Sequence, residues 1–195
     1  MANLLSVNIG AAARLPVPGG RTVLSAIRKT PVEAPVVVGP LGLAGDEQAD
    51  LSVHGGLQKA VYAYPVEHLA FWRAERARQG VVAADQPLPP GFMGENLTLT
   101  GLVEREAWIG DLLRFEGSDC VLRVTGPREP CGKLAAVMGV GVAGRLMVQR
   151  GISGFYLAVD APGELAAGLA VHLEPGPRRL SVLDALRAKW AKHRD

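Results

Sequence analysis

The chain has 195 residues, is 48% apolar and carries a formal charge of +2. That length and apolar content suffice for one well-cored domain with room for a small appendage, and so small a charge gives no reason to expect a nucleic-acid partner. Glycine and proline, at 24 and 14 residues, stay below the level of about 25–30% that marks low complexity and suit a protein of strands and turns.

Residues 1–10 lack a basic region followed by a long apolar stretch, so neither a signal peptide nor a membrane span is expected and the chain is placed in the cytoplasm. Apolar, β-branched runs bounded by Gly, Pro or Asp predict strands at 4–9, 22–27, 36–38 and 60–63. Pro65 suits the first position of a helix with an apolar face of Val66, Leu69, Ala70 and Ala77 and a stop at Gly80. Arg73, Glu75, Arg76 and Arg78 form its exposed side. Residues 83–91, with Pro87, Pro89 and Pro90, read as a loop. Further strands are predicted at 97–99, 112–115, 121–124, 155–159 and 171–173, with a short helix from Lys133 through Met138 broken at Gly139. These elements show no βαβ rhythm, so the expected class is mainly β with α elements. Ser181 is the expected N-cap of a last helix reaching Lys192, with Asp184 in its first turn and cations in its last. Its basic end reads as a solvated terminus, because no aromatic stacking pattern accompanies the charge.

Two apparent nucleotide motifs fail on context. Gly139-Val140-Gly141-Val142-Ala143-Gly144 has the dinucleotide spacing but no βαβ unit around it, and reads as a flexible turn of small residues. Gly126 to Lys133 resembles a phosphate loop, yet Leu134 stands where a Ser or Thr must bind magnesium.

The two cysteines receive different readings. Cys131 lies in Gly126-Pro127-Arg128-Glu129-Pro130-Cys131-Gly132-Lys133-Leu134, where the neighbouring cations favour a thiolate titrating below the free value of about 8.5. A thiolate is a soft metal ligand and a nucleophile; a purely structural Pro-Cys-Gly turn is the alternative. Cys120 opens an apolar run and reads as an inert small side chain. No disulfide is expected between them in a reducing compartment. Upstream, Gly42, Gly45, Gly55 and Gly56 permit turns that present N–H groups to an anion. Asp50, His54 and Lys59 add an acceptor, a group titrating near neutral pH and a point cation. For His54 the plainer role is a turn histidine, and for Lys59 simple solvation. There is no H-E-x-x-H, and His68, His172 and His193 lie in unrelated segments, which argues against a zinc-protease site.

Taken together, Gly45-Asp46, His54-Gly55-Gly56, Lys59-Ala60-Val61, Gly94-Glu95-Asn96-Leu97, Ile109-Gly110-Asp111, the Arg128 to Leu134 segment and Gly154-Phe155-Tyr156 resemble the MOSC domain, the C-terminal domain family of molybdenum-cofactor sulfurases, in its stand-alone YiiM-type branch. The resemblance spans residues 42–159. It implies an α+β, barrel-like fold over residues 1–176 and a short basic C-terminal helix over 177–195 where relatives carry a helical appendage. It also implies a molybdenum cofactor (molybdopterin), with Cys131 as the molybdenum ligand and Gly55, Gly56, Lys59, Asn96, Arg128 and Lys133 as cofactor-binding residues. Relatives reduce N-hydroxylated compounds such as hydroxylaminopurines and amidoximes. The implied partners are therefore a small N-hydroxylated substrate and a separate electron-donor redox protein, with no membrane or nucleic acid, for a chain acting as monomer or homodimer. The pyridoxal phosphate of sulfurases belongs to another domain, so Lys59 and Lys133 are not expected to form Schiff bases.

The residue chemistry agrees with that expectation. A phosphate-bearing pterin needs cations and backbone donors, and the metal needs a soft ligand. His54 or Asp50 is the candidate acid for an oxygen departing from nitrogen. Departures from the family pattern are Gly132 in place of an aromatic residue and Ile152 in place of an arginine, with Arg150 nearby as a substitute. Two other readings stay open: a sulfur carrier using a Cys131 persulfide, and a non-catalytic carrier of the molybdenum cofactor.

Overall fold

The computed structural model describes residues 1–49, 55–81 and 86–191. Six strands come first: β1 (Ala2–Ile9), β2 (Ala13–Val17), β3 (Arg21–Ser25), β4 (Thr30–Val32), β5 (Val36–Gly39) and β6 (Gly42–Leu43). A 3-10 turn over Leu57–Lys59 leads into β7 (Val61–Pro65), and a second over Val66–His68 leads into helix α1 (Leu69–Arg78). Then follow β8 (Leu97–Thr100), β9 (Leu112–Phe115), β10 (Val121–Pro127), α2 (Gly132–Met138) and α3 (Ala143–Arg150). The chain continues through β11 (Phe155–Ala161), β12 (Gly163–Leu165), β13 (Ala170–Glu174) and α4 (Val182–Ala191).

Seven strands close a mixed barrel in the order β13, β9, β10, β11, β7, β8, β1, and β1 returns to β13 through Ala2 opposite Val171. Only β7 and β8 run parallel within it. Closure leaves the long strands without free edges, which removes a template for unwanted pairing. Outside the ring, β4 pairs with the end of β1, β12 joins β5 and β6, and β2 and β3 form a hairpin.

Period-two alternation assigns the faces of these strands and thereby places the site. Every residue of β7 is buried because successive side chains enter different cores. Val61 and Ala63 join Leu4, Leu97, Leu113, Leu122, Phe155 and Leu157 inside the barrel. Tyr62 and Tyr64 point the other way, into a second core with Trp72, Met93, Leu134, Met138 and Met147. Tyr156 of β11 does the same between the inward Phe155 and Leu157. The second core is thus the layer between barrel and helices.

Each strand read from the alternation is present, the one at 112–115 with the predicted ends and the others with shifted ends. Cys120 falls just before β10. The C-terminal helix begins where its cap predicted: Asp184 N–H donates to Ser181 Oγ at 3.1 Å and the Ser181 hydroxyl to Asp184 Oδ2 at 2.7 Å, a reciprocal cap. Val182 of α4 lies in the barrel core, and Lys189 pairs with Glu129. α2 ends at Gly139 in the left-handed region, φ 69°, where glycine carries no Cβ penalty.

Several expectations change. Pro65 ends β7, and the α-helical part of the next element starts only at Leu69. Its buried residues are Trp72 and Glu75, while Ala70 and Ala77 are exposed; Glu75 is bonded by Arg78 and Gln79, so a carboxylate occupies a position read as solvated. Residues Gly139 to Val142 join α2 to α3, Ala143 and Gly144 form the start of α3, and a helix, not a strand, directly precedes the motif. The short strands β2, β4, β6 and β12 were not foreseen, and Pro16 and Pro31 explain two of them: proline weakens a strand reading and is tolerated only outside a fully paired ladder. Among the described residues, no helix is long and apolar enough to cross a membrane.

Candidate active-site cleft

A cleft enclosing about 630 Å³, mouth included, lies where several connecting segments meet. Ser25 ends β3 and Ala26, Ile27 and Lys29 follow it, Asp46 to Ala49 follow β6, and Met93, Gly94 and Asn96 lead into β8; Arg128 and Cys131 lie between β10 and α2, and Lys133 lies in the first turn of α2. Tyr62 and Tyr156 rise into it from the barrel wall.

On one side the chemistry centres on sulfur and cations. Arg128 is only 4% exposed, its backbone N–H bonded to Gly154 O at 3.3 Å. Its guanidinium directs Nη2 at Cys131 Sγ (3.6 Å) and Nη1 at Met147 Sδ (3.7 Å), and lies 5.5 Å from the centre of the Tyr62 ring. Among the described residues no carboxylate pairs with it. Burial opposes its charge, but Tyr62, Cys131, Tyr156 and Tyr64 outweigh that and raise its pKa. Lys59 Nζ lies 5.5 Å from the Tyr156 ring centre, and Lys133 opens α2 at the rim. Burial holds the phenols of Tyr62, Tyr64 and Tyr156 neutral by raising their pKa values.

The support behind Arg128 is built from buried hydrogen bonds. Tyr62 Oη donates to Ser153 O at 2.8 Å and Tyr64 Oη to Ile152 O at 3.2 Å, while Trp72 Nε1 donates to Tyr64 Oη at 2.6 Å. Gly154, whose carbonyl receives the Arg128 N–H, donates its own N–H to Glu104 Oε1 at 2.6 Å. A Cβ on Gly154 would meet Tyr62 at 2.7 Å and Tyr64 at 2.8 Å, so no side chain fits there.

On the other side Lys29 and Asp46 form an ion pair with side chains 7% and 5% exposed. Asp46 also accepts from Gly10 N at 2.9 Å and from Asn96 Nδ2 at 2.8 Å. Asn96 in turn donates to Asn8 O at 3.3 Å and accepts from Tyr62 N at 3.1 Å. One carboxylate therefore ties together β1, the β3 to β4 connection, the β6 loop and the entry to β8.

Of the residues singled out from sequence, Gly55, Lys59, Asn96, Arg128, Lys133 and Cys131 all line this cleft. Gly56 sits beside it, with φ 78°, at the start of the 3-10 turn leading to Lys59. Asp50 and His54 lie outside the described residues. Asn96 lines the wall with its amide engaged by Asp46, Asn8 and Tyr62, so its role runs through Asp46. Lys29 was missed, because in sequence nothing separates it from the exposed Arg28 next to it. Arg150 stacks on Phe71 at 5.0 Å and Ile152 is buried, so neither reaches the cleft lining. Cys120 is fully buried, and burial pushes its thiol up to about 11. Among the described residues no group of three or more His, Cys, Asp or Glu is arranged to hold a metal ion; Cys131 is the thiol that lines the cleft.

The family model of the MOSC domain matches residues 50–172, more than half of the chain. The chain belongs to the MOSC domain family. Within that family it is of the YiiM type: it is 35% identical to Protein YiiM of Escherichia coli over 166 residues, covering 85% of this chain and 71% of that protein. It is also 36% identical to the uncharacterized protein YflK of Bacillus subtilis over 189 residues, covering 96% and 80% of the two chains. The crystal structure of YiiM from Geobacillus stearothermophilus superposes with a TM-score of 0.76 at 31% identity, covering all of this chain and 87% of the other. A protein named Reductase from Gibberella moniliformis is 32% identical over 179 residues, and this MOSC chain spans 30% of its length.

Proposed function

We propose that the cleft binds a molybdenum–pterin cofactor with Cys131 as the protein ligand to the metal, and that the chain is an oxidoreductase reducing N-hydroxylated compounds of the hydroxylaminopurine or amidoxime type. The observation that carries this reading is Arg128, a buried cation without a carboxylate partner among the described residues, turned towards the thiol of Cys131. Burying an unpaired charge is costly, and a cleft that does so is suited to an anion that comes from outside the chain. A phosphate-bearing group with soft sulfur-bound metal matches that donor set, because Arg and Lys supply charge-assisted hydrogen bonds and Cys supplies a soft ligand.

The residues then divide the work. Arg128, Lys59 and Lys133 bind anionic groups, while Gly55 permits close backbone approach. Asp46 holds Lys29 at the opposite wall with help from Asn96. Tyr62 and Tyr156 give an apolar, aromatic surface that excludes water while staying uncharged. The bound metal supplies the two-electron chemistry at the N–O bond. A proton for the departing oxygen is assigned to His54 or Asp50, the two residue types in this segment able to act as general acid. Electrons come from a separate redox protein, in the cytoplasm, where both thiols stay reduced.

The test is native purification followed by turnover. Co-purifying molybdenum and pterin, with reduction of an N-hydroxylated base by a chemically reduced donor, supports the proposal. Bound cofactor without turnover makes the chain a cofactor carrier, and a protein-bound persulfide without molybdenum makes it a sulfur carrier.

A further inference from the structure

Glu95 is completely buried, and among the described residues no Lys, Arg or His pairs with it. Three donors face its carboxyl group instead. Oε1 accepts from Gly91 N at 2.7 Å and from Thr98 Oγ1 at 2.8 Å, and Oε2 accepts from Met93 N at 3.0 Å. Two of those donors belong to one tight turn, in which Gly91 and Gly94 both have φ +84°. That turn is wedged against the β3 to β4 connection. A Cβ on Gly91 would lie 2.5 Å from Lys29 O, and one on Gly94 would lie 2.8 Å from Ile27 Cγ1. Ile27, Lys29, Met93 and Gly94 all line the cleft. The next residue, Asn96, bonds Asp46, the partner of Lys29.

We infer that Glu95 is a positioning residue: its carboxylate fixes the turn from Gly91 to Gly94 and, through that turn, the cleft wall formed by Ile27, Lys29 and Met93. This rests on the cleft being the ligand site, whichever ligand it holds. A proton on Oε2 turns a donor towards the Met93 N–H and breaks that bond, and a proton on Oε1, which the Thr98 hydroxyl can accept, leaves a weaker acceptor for the Gly91 N–H, so the ionised form holds the turn more tightly. Burial pushes the Glu95 carboxyl up to about 7, against the opposing hydrogen bonds from backbone N–H groups and Thr98. Among the described residues, Tyr62 and Tyr64 on β7 feel the charge of Glu95, and both are kept neutral by burial. Lys29 and Asp46 lie beyond the turn and Asn96, paired with each other. The wall is therefore tight when Glu95 is ionised and loosens as pH falls through neutrality.

Amide hydrogen exchange followed by NMR on the full-length chain, with the Glu95 carboxyl carbon observed in parallel, tests this without any bound cofactor. Protection of the Gly91 and Met93 amides, corrected for intrinsic exchange, is expected to fall by up to about tenfold per pH unit as pH is lowered towards the carboxyl's pKa, the limit for one linked proton, and to level off below it. The Val124 amide, bonded to Asp111 O at 2.9 Å in the barrel, stays level. Glu95→Gln flattens the pH response at Gly91 and Met93. Protection at those amides that is independent of pH in the wild type overturns the inference, as does a Glu95 carbon titrating at the ordinary 4.5. The wild-type measurement decides even if the variant does not fold. Because no cofactor takes part, the result stands apart from the molybdenum assignment.

Discussion

Arg128 points Nη2 at the sulfur of Cys131 across 3.6 Å, although the two residues sit on opposite sides of a proline and the arginine is 96% hidden from solvent, being 4% exposed. The contact makes thiol and cation one unit at the cleft surface, ready to share a bound anion. Replacing Arg128 by Ala removes a charge-assisted contact of about 1.5–3 kcal/mol, which weakens retention of the bound cofactor by about 10- to 100-fold. Lys59→Ala and Lys133→Ala reduce retention in the same direction. Arg187→Ala, on the exposed face of α4, leaves it unchanged. Molybdenum and pterin content after dialysis reads the difference, and an equal loss in Arg187→Ala would put the anion site in the wrong place.

The two thiols differ in accessibility. Cys120 has no exposed surface and a thiol pushed up to about 11, while Cys131 lines the cleft. Iodoacetamide at neutral pH therefore labels Cys131 in the cofactor-free native chain, and Cys120 only after unfolding, because alkylation needs an accessible thiolate. Peptide mass spectrometry gives the ratio. Labelling of Cys120 at a comparable native rate contradicts the division of roles.

Much of this architecture was legible in the chain itself. Alternation in residues such as Leu97 and Leu99, or Phe155 and Leu157, marks strands because one face must enter a core. The contrast between Cys131 among cations and Cys120 in an apolar run survives in the structure. Other features depend on contacts between distant segments, which no local pattern encodes. Lys29 gains its place only because Asp46 and Gly91 arrive from later in the chain. Tyr62 reads as an ordinary strand residue and Tyr64 falls just past the predicted strand, yet both faces of β7 are buried, so period two separates two cores instead of core and solvent. α3 escaped notice because it starts in a glycine-rich junction that, in sequence, reads as a turn.

The Lys29–Asp46 pair supports a second prediction about the wall. Asp46→Ala leaves a buried ammonium without its partner and costs about 3–5 kcal/mol, read as a lower urea midpoint. Lys29→Met is milder, since Asp46 keeps the Gly10 and Asn96 donors. Equal losses in the two variants would show that the carboxylate is not the hub of this wall.

Glu95 also sets a slope in global stability, with a sign opposite to that of most carboxylates. Its folded pKa of about 7 exceeds the ordinary 4.5, so the folded state binds the proton more tightly than the unfolded state. Stability from this group is thus fully present below the unfolded value and is lost as pH rises through the folded one. The loss amounts to about 3 kcal/mol. Subtracting the urea-unfolding free energies of Glu95→Gln from those of the wild type isolates the slope. A difference that rises with pH across this window contradicts the assignment. The local turn and the global fold respond in opposite senses because ionisation tightens the turn while carrying a desolvation cost.

The central claim is that Cys131 holds molybdenum in this cleft, and metal analysis of natively purified wild type, Cys131→Ser and Cys120→Ser tests it most directly. Serine preserves volume but is a poor soft-metal ligand. The account predicts molybdenum and pterin in the wild type and in Cys120→Ser, with molybdenum lost from a folded Cys131→Ser. A wild type free of both, or a Cys131→Ser variant that keeps as much molybdenum as the wild type, contradicts it.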